Sequence, residues 1–181
     1  MMKIKDRQKY LKKLGLYTSK VESAYKFFNI IFLNKSSDKY TSETEKLLKA
    51  VYKSYCGSKY MVKADWKYFK SFNQSEFHCT CNGKYCDGYN GRKNKLPMQL
   101  IMMAQYMRNY YDKPVYISSS IRCPKRNKEV GGVKNSKHLK FLALDMKVGN
   151  IKSLEAIKVV KKLPFVKYAY DITKYYFHAN L

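Results

Sequence analysis

Residues 118–148 read SSSIRCPKRNKEVGGVKNSKHLKFLALDMKV, and the change of pattern along this stretch indicates how the chain around it folds. The first part is rich in Gly, Asn, Ser and charged residues, which is typical of a loop. The end, FLALDMKV, alternates in polarity as a half-buried strand does. One face of that strand would carry Leu142, Leu144, Met146 and Val148. Because that apolar face needs cover, we expect helices packed against a sheet.

The flanking sequence supplies those helices and further strands. Pro97 can occupy the first turn of a helix over MQLIMMAQYMRNYY, whose apolar residues recur at helical spacing. PVYISSS, FVKYAYDI and YYFHANL have the composition of strands, and a further helix is expected over about 153–162, with Ser153 as its N-cap. We therefore predict an α+β domain over residues 75–181, with a small antiparallel sheet flanked by helices.

Residues 1–54 carry three stretches with apolar residues at helical spacing, which predict a small helical module ahead of that domain. Gly15 lies where the first helix would end. Ser42 and Glu45 form a capping-box pattern at the start of the third helix. Residues 55–74 read as a connector between the helical module and the α+β domain.

The formal net charge is +24, from 37 Lys and Arg against 13 Asp and Glu. A surface this cationic favours a polyanionic partner, either nucleic acid or an anionic cell wall with its teichoic acids and peptide carboxylates. The alternative is a compositional bias of the genome towards Lys, with no partner implied. The sequence contains no motif of a nucleic-acid-binding protein, which argues against nucleic acid as the partner.

The sequence has no apolar run long enough to span a membrane. The N-terminus, MMKIKDRQKYLKK, is charged but lacks the apolar core of a signal peptide. We therefore expect a chain that is made in a cytosol, and an extracellular target would require another agent to release it.

Five cysteines are present, an odd number that argues against a disulfide framework. Cys79, Cys81 and Cys86 cluster in FHCTCNGKYCDGYNG. A structural zinc site could use these three, but C-x-C-x4-C is not a common zinc spacing. Free thiols in a turn-rich loop are the favoured alternative.

A possible metal centre comes from residues far apart in sequence. His138 lies just before the strand that holds Asp145, and His178 lies in the last predicted strand. A carboxylate inside an apolar strand is costly to bury without a cation or hydrogen-bond donors. Two imidazoles and one carboxylate are ligands that Zn2+ accepts, and a catalytic site leaves its fourth position for water. These three residues are therefore candidate ligands of a zinc centre. The alternative is two structural histidines and a core aspartate whose hydrogen bonds are satisfied within the protein.

The same stretch resembles the central motif of the zinc D-Ala-D-Ala carboxypeptidases and the related L-Ala-D-Glu endopeptidases. That motif reads approximately S-x-x-R-x-P-x-x-N-x-x-V-G-G followed by S-x-H-x-x-G-x-A-x-D, and FHAN near the end is similar to the terminal H-x-D strand of the family. The resemblance covers about residues 75–181. It implies the Hedgehog/D-Ala-D-Ala peptidase-like fold and a zinc-dependent peptidase of bacterial peptidoglycan.

The resemblance extends to the organisation of the chain. Phage endolysins often carry such a domain behind a wall-binding module. Here LKKLGLYTSKVESAYKFFN and DKYTSETEKLLKAVY resemble the two halves of a peptidoglycan-binding module, although the typical glycine turns are absent. A helical bundle with no ligand is the alternative. An endolysin would be made in the host bacterial cytoplasm and act at the cell wall after release.

The resemblance also implies roles for single residues. The zinc ligands would be His138, Asp145 and His178. Arg122 matches the arginine that holds the carboxylate of the substrate, a role suited to its planar fork. Ser136 matches a serine that bonds the substrate backbone. Gly131 and Gly132 match a glycine pair at a sharp turn, which Asn127 would brace unless it is a simple turn residue.

Three positions depart from the family pattern. Phe141 stands where the family has Gly, and Asn180 replaces an Asp two residues after the last His. On a strand, Asn180 would share a face with His178 and could contact the site and its substrate. Tyr175 stands where several relatives have the acidic general base. The alternative to an active enzyme is therefore a cell-wall-binding protein with impaired catalysis on the same scaffold.

Two nearby residues are further candidates for roles in catalysis, one as a general base and one as a hydrogen-bond donor. Asp171 is the nearest remaining acid, and strand alternation places it on the Ala169 face, from which we expect it to enter the cleft as general base. An ordinary aspartate at a strand end is the alternative. Tyr176 shares a face with His178 and could donate a hydrogen bond to a developing oxyanion, unless it only packs.

Overall fold

The computed structural model describes residues 1–55, 60–61, 63–91 and 96–181. The α-helices in this part of the chain are α1 (Ile4–Lys13), α2 (Val21–Leu33), α3 (Ser42–Tyr55), α4 (Met98–Tyr111), α5 (Pro124–Glu129) and α6 (Ser153–Val160). Short 3-10 helices lie at Lys63–Tyr68, Gln74–Phe77 and Lys137–Lys140. The strands are β1 (Val115–Ser119), β2 (Ala143–Val148), β3 (Tyr168–Asp171) and β4 (Tyr176–Asn180).

The four strands form one antiparallel sheet in the order β1-β2-β4-β3. The sheet and its helices confirm the predicted α+β class. β2 and β4 are central, and their register pairs Asp145 with His178. The next pair on the same face is Ala143 with Asn180. One face of the central strands therefore carries the candidate site.

The opposite face of the sheet is the core face. Leu144, Met146, Val148 and Phe177 are fully buried there, as the alternation of FLALDMKV predicts. Helices α4 and α6 contact these central strands, and nine of the residues of α4 are buried. The all-round burial of α4 explains its weak amphipathicity, because a helix covered on every side needs no polar face.

The N-terminal helices pack on the other side of α4. Asn109 of α4 donates hydrogen bonds to the carbonyls of Ile30 (2.7 Å) and Ile31 (3.2 Å) in α2. Gln99 reaches the Leu14 carbonyl at the end of α1. The buried apolar residues form one cluster from Leu11 to Ala179. The N-terminal helices therefore share one continuous core with the sheet.

Several details of the N-terminal half differ from the prediction. The hydroxyl of Thr41, not Ser42, caps α3 by accepting a hydrogen bond from the Thr44 backbone. Glu45 instead accepts from the Met2 backbone and from Lys49, so the predicted capping box is wrong. Residues 56–59 and 62 of the predicted connector lie outside the described residues. Among the residues described, no helix combines the length and apolar character that spanning a membrane requires.

Candidate metal centre

Three side chains converge on the polar face of the sheet. Asp145 and His178 come from paired positions of β2 and β4, and His138 comes from the 3-10 helix just before β2. Asp145 Oδ1 lies 2.8 Å from His178 Nδ1 and 3.1 Å from His138 Nε2. The two imidazole nitrogens lie 3.2 Å apart. All three residues are buried, so one small cation could reach all three donor atoms.

The donor set fits a zinc ion. Ligands held tetrahedrally at about 2.0–2.1 Å from Zn2+ lie about 3.3 Å from one another, close to the three distances observed. His138 Nδ1 lies 2.8 Å from the Ser120 carbonyl. The carbonyl can only accept, so Nδ1 carries a proton, and Nε2 would give up any proton of its own and present a lone pair to a bound ion. Nitrogen and carboxylate ligands together are typical of catalytic zinc.

Arg122 holds the second carboxylate oxygen of Asp145. Its Nη2 donates to Asp145 Oδ2 (3.1 Å) and to Ser119 Oγ (3.0 Å), and its Nη1 donates to Asn127 Oδ1 (3.3 Å). Burial acts to raise the pKa of Asp145, but hydrogen bonds from the two histidines outweigh burial and hold that pKa well below its usual range. Asp145 is therefore a carboxylate at neutral pH and points Oδ1 at the imidazoles.

The glycine-containing loop after α5 is built on Asn127. The Asn127 amide donates to the carbonyls of Gly132 and Val133, both at 3.0 Å, which confirms its bracing role. Gly131 has a φ of +67°, a left-handed conformation that glycine adopts readily. Gly132 has no positive φ and is required for space instead, because a Cβ there would lie 2.2 Å from Asn127 Oδ1. The pair therefore fixes this loop beside the three donors.

A cleft of about 620 Å³ opens over the three donors. Its walls are the glycine-containing loop and the end of β3, with the following lining: Arg122, Val130, Gly131, Gly132, Val133, Asn135, Ser136, Lys137, His138, Asp145, Tyr170, Asp171, Ile172 and His178. Ser136 is buried at the N-terminus of the 3-10 helix, where its hydroxyl accepts from the His138 backbone at 3.3 Å. The volume lies in the range of pockets that bind small organic ligands.

Asp171 reaches the cleft by a different route from the one predicted. In the β3–β4 register it pairs with Phe177, while Tyr170 pairs with His178. The Ala169 face is thus the core face, so the expectation that this face enters the cleft is wrong. Asp171 is exposed at the end of β3 and lines the cleft from there. Among the described lining residues it is the one carboxylate besides Asp145.

Tyr170 is the aromatic residue of the site that the sequence interpretation missed. Its ring stacks on His178, with centroids 4.8 Å apart and an interplanar angle of 26°. Burial, followed by the charge of Asp145, raises the pKa of Tyr170, so its phenol keeps its proton. Tyr176 is on the same face of the sheet as His178 but does not line the cleft. Its ring instead has Lys147 Nζ 5.9 Å from the centroid.

The three departures from the family pattern have distinct structural settings. Asn180 Nδ2 lies 3.3 Å from His178 Nε2, on the side away from the donor cluster. Phe141 is buried with a left-handed φ of +60°, the conformation that favours the glycine of the pattern. Tyr175 lies in the β3–β4 turn, where Lys147 and Lys174 approach its ring.

A family model supplies the identification. Residues 70–180 match the model described as Peptidase M15. The chain belongs to the peptidase M15 family. Membership supports zinc-dependent peptidase activity for this M15 chain, and the convergence of His138, Asp145 and His178 supplies a possible metal site within the matched region. No curated protein sequence matches the chain.

Proposed function

We propose that this M15 chain is a zinc-dependent peptidase that hydrolyses peptide bonds in the stem peptides of bacterial peptidoglycan, as an endolysin does. One observation carries the proposal: three buried donor atoms lie within 3.2 Å of one another in the lining of a cleft. A fourth coordination position facing that cleft would be open to water. The D-Ala-D-Ala carboxypeptidase and L-Ala-D-Glu endopeptidase activities are the two forms that the motif suggests.

The metal would be held by His138 Nε2, Asp145 Oδ1 and His178 Nδ1. Bound there, Zn2+ supplies Lewis acidity towards a carbonyl oxygen and lowers the pKa of a water ligand. The protein keeps these donors aimed at one point through Ser120 and Arg122. With His178 bound through Nδ1, its Nε2 carries the proton, and a rotated Asn180 amide would accept it.

Two cationic side chains favour a substrate that carries a carboxylate. Arg122 and Lys137 both line the cleft. The bonds of Arg122 to Asp145, Ser119 and Asn127 use three of its five N–H groups. The remaining donors can bind a substrate carboxylate while the arginine still orients Asp145. Stem peptides of peptidoglycan carry such carboxylates beside the bonds that these enzymes cut.

Asp171 and Tyr170 are the groups that we assign to proton transfer and charge stabilisation. Asp171 is exposed and lines the cleft, which supports its assignment as the group that would accept a proton from a water molecule. Tyr170 stays protonated and can donate a hydrogen bond to the oxygen of the scissile carbonyl, a role first considered for Tyr176. The Ser136 hydroxyl, in the cleft wall, would contact the substrate backbone.

The proposal is tested by release of new amino groups from purified peptidoglycan. The wild-type protein with zinc should release them, and His138→Ala should not. His78→Ala is the matched control, because His78 is the one other histidine of the chain and lies outside the cleft lining. Equal release by the His138→Ala protein would contradict the proposal.

We also propose that residues 1–54 and the cationic surface bind the cell wall. The net charge of +24 suits teichoic acids and peptide carboxylates. An endolysin would be made in the bacterial cytoplasm and reach the wall after release. Co-sedimentation with purified walls should weaken as salt rises, and walls stripped of anionic polymers should retain less protein. Unchanged binding to stripped walls would contradict the charge-based part.

The alternative proposal is a wall-binding protein with metal retained and catalysis lost. Tyr175 supports it, because it occupies the position of an acidic base and lies in a turn against two lysines. This protein would bind zinc and walls, yet release no amino groups. Release that depends on Asp171 would exclude it.

A further inference from the structure

A second cluster of metal-ligand side chains lies outside the cleft. Cys79, Cys81 and Cys86 belong to the loop after the 3-10 helix Gln74–Phe77, and Cys123 lies directly before α5. Their sulfur atoms all lie within 4.8 Å of one another. All four are free thiols, and Cys79, Cys81 and Cys123 are buried. The sequence interpretation grouped the first three and missed the fourth.

The spacing of the sulfurs matches a tetrahedral metal site better than a disulfide. Four sulfurs bound at about 2.3 Å to one Zn2+ lie about 3.8 Å apart. Cys81 Sγ and Cys86 Sγ are 3.5 Å apart, whereas a disulfide needs about 2.05 Å. A disulfide would also pair two sulfurs and leave two others buried beside it. One ion uses all four.

Backbone N–H groups already point at two of the sulfurs. The Cys123 N–H donates to Cys79 Sγ at 3.4 Å, and the Arg126 N–H donates to Cys123 Sγ at 3.4 Å. Such bonds are stronger to a thiolate than to a thiol, since an ionised acceptor attracts the donor more. They also orient the sulfurs, as outer hydrogen bonds do around metal ligands.

The loop that carries three of the cysteines has no regular structure to hold it. Residues 78–91 form turns, with positive φ at Asn82 (50°) and Gly83 (82°) between Cys81 and Cys86. The Cys79 N–H donates to the Gly88 carbonyl, but there is no strand or helix among these residues. Small turn-rich segments of this kind commonly depend on a metal or a disulfide.

We propose that Cys79, Cys81, Cys86 and Cys123 bind a structural Zn2+ that is separate from the His-Asp-His centre. On binding, the four thiols lose four protons and form four Zn–S bonds, so the site carries a net charge of −2. The Arg126 side chain lies nearby, with its Nε 3.3 Å from Thr80 Oγ1, and its Nη1 forms an ion pair with Glu129. Four protein ligands close the coordination shell, as in structural rather than catalytic sites.

The site would fix the segment that orients the catalytic ligand. Cys123 directly follows Arg122, whose guanidinium holds Asp145, and α5 begins at the next residue. The ion would tie this segment to the loop of residues 78–91. Loss of the structural zinc should therefore loosen Arg122 without removing any donor of the His-Asp-His centre.

Metal content and cobalt absorption test this proposal independently of peptidase activity. The wild-type protein should hold two Zn2+ per chain, and His138→Ala and Cys81→Ser/Cys86→Ser should each hold one. Cys56→Ser is the matched control and should hold two. In the His138→Ala protein, Co2+ should produce sulfur-to-cobalt charge-transfer absorption, which histidine and carboxylate ligands do not give. This spectrum needs no cysteine variant, so it tests metal binding by the four thiols even if the Cys81→Ser/Cys86→Ser protein fails to fold.

Several outcomes would overturn the proposal. One is a Co2+ form of the His138→Ala protein without thiolate absorption. Another is a wild-type protein whose mass is lower by two hydrogens because Cys81 and Cys86 form a disulfide. Iron in place of zinc would overturn the identity of the metal. If the His138→Ala protein keeps thiolate-bound metal and releases no amino groups, both this proposal and the proposed function stand. If the wild-type protein shows no peptidase activity, the proposed function fails, and the thiolate spectrum still tests the structural zinc site.

Discussion

Asp145 and His178 are directly paired across β2 and β4, and Asp145 Oδ1 lies 2.8 Å from His178 Nδ1. Because a strand pair fixes which side chains face each other, the sheet itself brings these two donors together. His138 completes the set from the 3-10 helix that leads into β2. The site thus combines two positions set by strand register with one set by a short connection, and its loops determine how precisely the donors are aimed.

Arg122→Lys should weaken zinc binding without abolishing it. A lysine cannot reproduce the fork that contacts Asp145, Ser119 and Asn127 together. Loss of such outer contacts lowers metal affinity by about 10–100-fold. Competition with a chelator measures the affinity. Arg108→Lys is the control, because Arg108 pairs with exposed Asp112 away from the cleft; an equal loss in both variants would contradict the assigned role.

Asp171→Asn should lower kcat by about 10^2–10^4-fold, the usual contribution of a general base. The zinc content should stay unchanged, since Asp171 is not among the three converging donors. The control is Asp112→Asn, another exposed aspartate. Single-turnover hydrolysis of a stem peptide separates chemistry from binding. A variant with wild-type kcat would remove Asp171 from the mechanism.

Gly132→Ala should damage the site more than Gly131→Ala. A Cβ at Gly132 would lie 2.2 Å from Asn127 Oδ1, whereas a Cβ at Gly131 meets no atom within 4 Å. Gly131→Ala costs only the strain of its positive φ, about 1–2 kcal/mol. Gly132→Ala must displace Asn127, which contacts Arg122. Zinc affinity and kcat of the two proteins check the order, and the reverse order would contradict the bracing role of Asn127.

Phe141→Ala should be less stable than Phe141→Gly. Both lose a buried aromatic ring, which costs about 3–5 kcal/mol. Glycine also relieves the left-handed φ of +60°, a strain of about 1–2 kcal/mol that alanine retains. Glycine also gives the unfolded chain more conformational entropy than alanine does, which lowers folding stability by about 0.4–1 kcal/mol. The strain that glycine relieves should exceed this cost. Urea midpoints of the two variants measure the difference in stability. A more stable alanine variant would show that this backbone is unstrained.

Acid should destabilise the metal-free protein partly through Asp145. The pKa of this carboxyl is lowered in the folded protein from its ordinary value of 3.8. Its stabilising contribution is therefore complete above that value and is lost as pH falls below it. In the chelated protein, Asp145→Asn should flatten the fall in unfolding free energy between about pH 4 and pH 2. Urea unfolding of both proteins across that pH range measures the two unfolding free energies. If they fall in parallel as pH decreases, the lowered pKa of Asp145 is contradicted.

Much of the fold and the ligand set could be predicted because local pattern determines them. The alternation in FLALDMKV identifies β2 and places Asp145 opposite the core face. The helical spacing in MQLIMMAQYMRNYY identifies α4 over the residues that form it. The motif identifies His138 and His178 as candidate ligands, and the structure brings them together with Asp145.

The rest depends on contacts between distant segments. Tyr170 enters the site because the β3–β4 register pairs it with His178, and a single strand does not reveal its register. Cys123 joins Cys79 only when α5 packs beside the loop of residues 78–91. The bond from Arg122 to Asp145 likewise joins a loop to a strand. No spacing along the chain shows these three relationships.

Anomalous diffraction at the zinc absorption edge, from crystals grown with Zn2+, tests the central claim most directly. The account predicts a peak within about 2.2 Å of His138 Nε2, Asp145 Oδ1 and His178 Nδ1, with an open side towards Tyr170 and Asp171. A zinc-loaded crystal with no peak between these atoms, or with the two imidazoles turned away from each other, would contradict it.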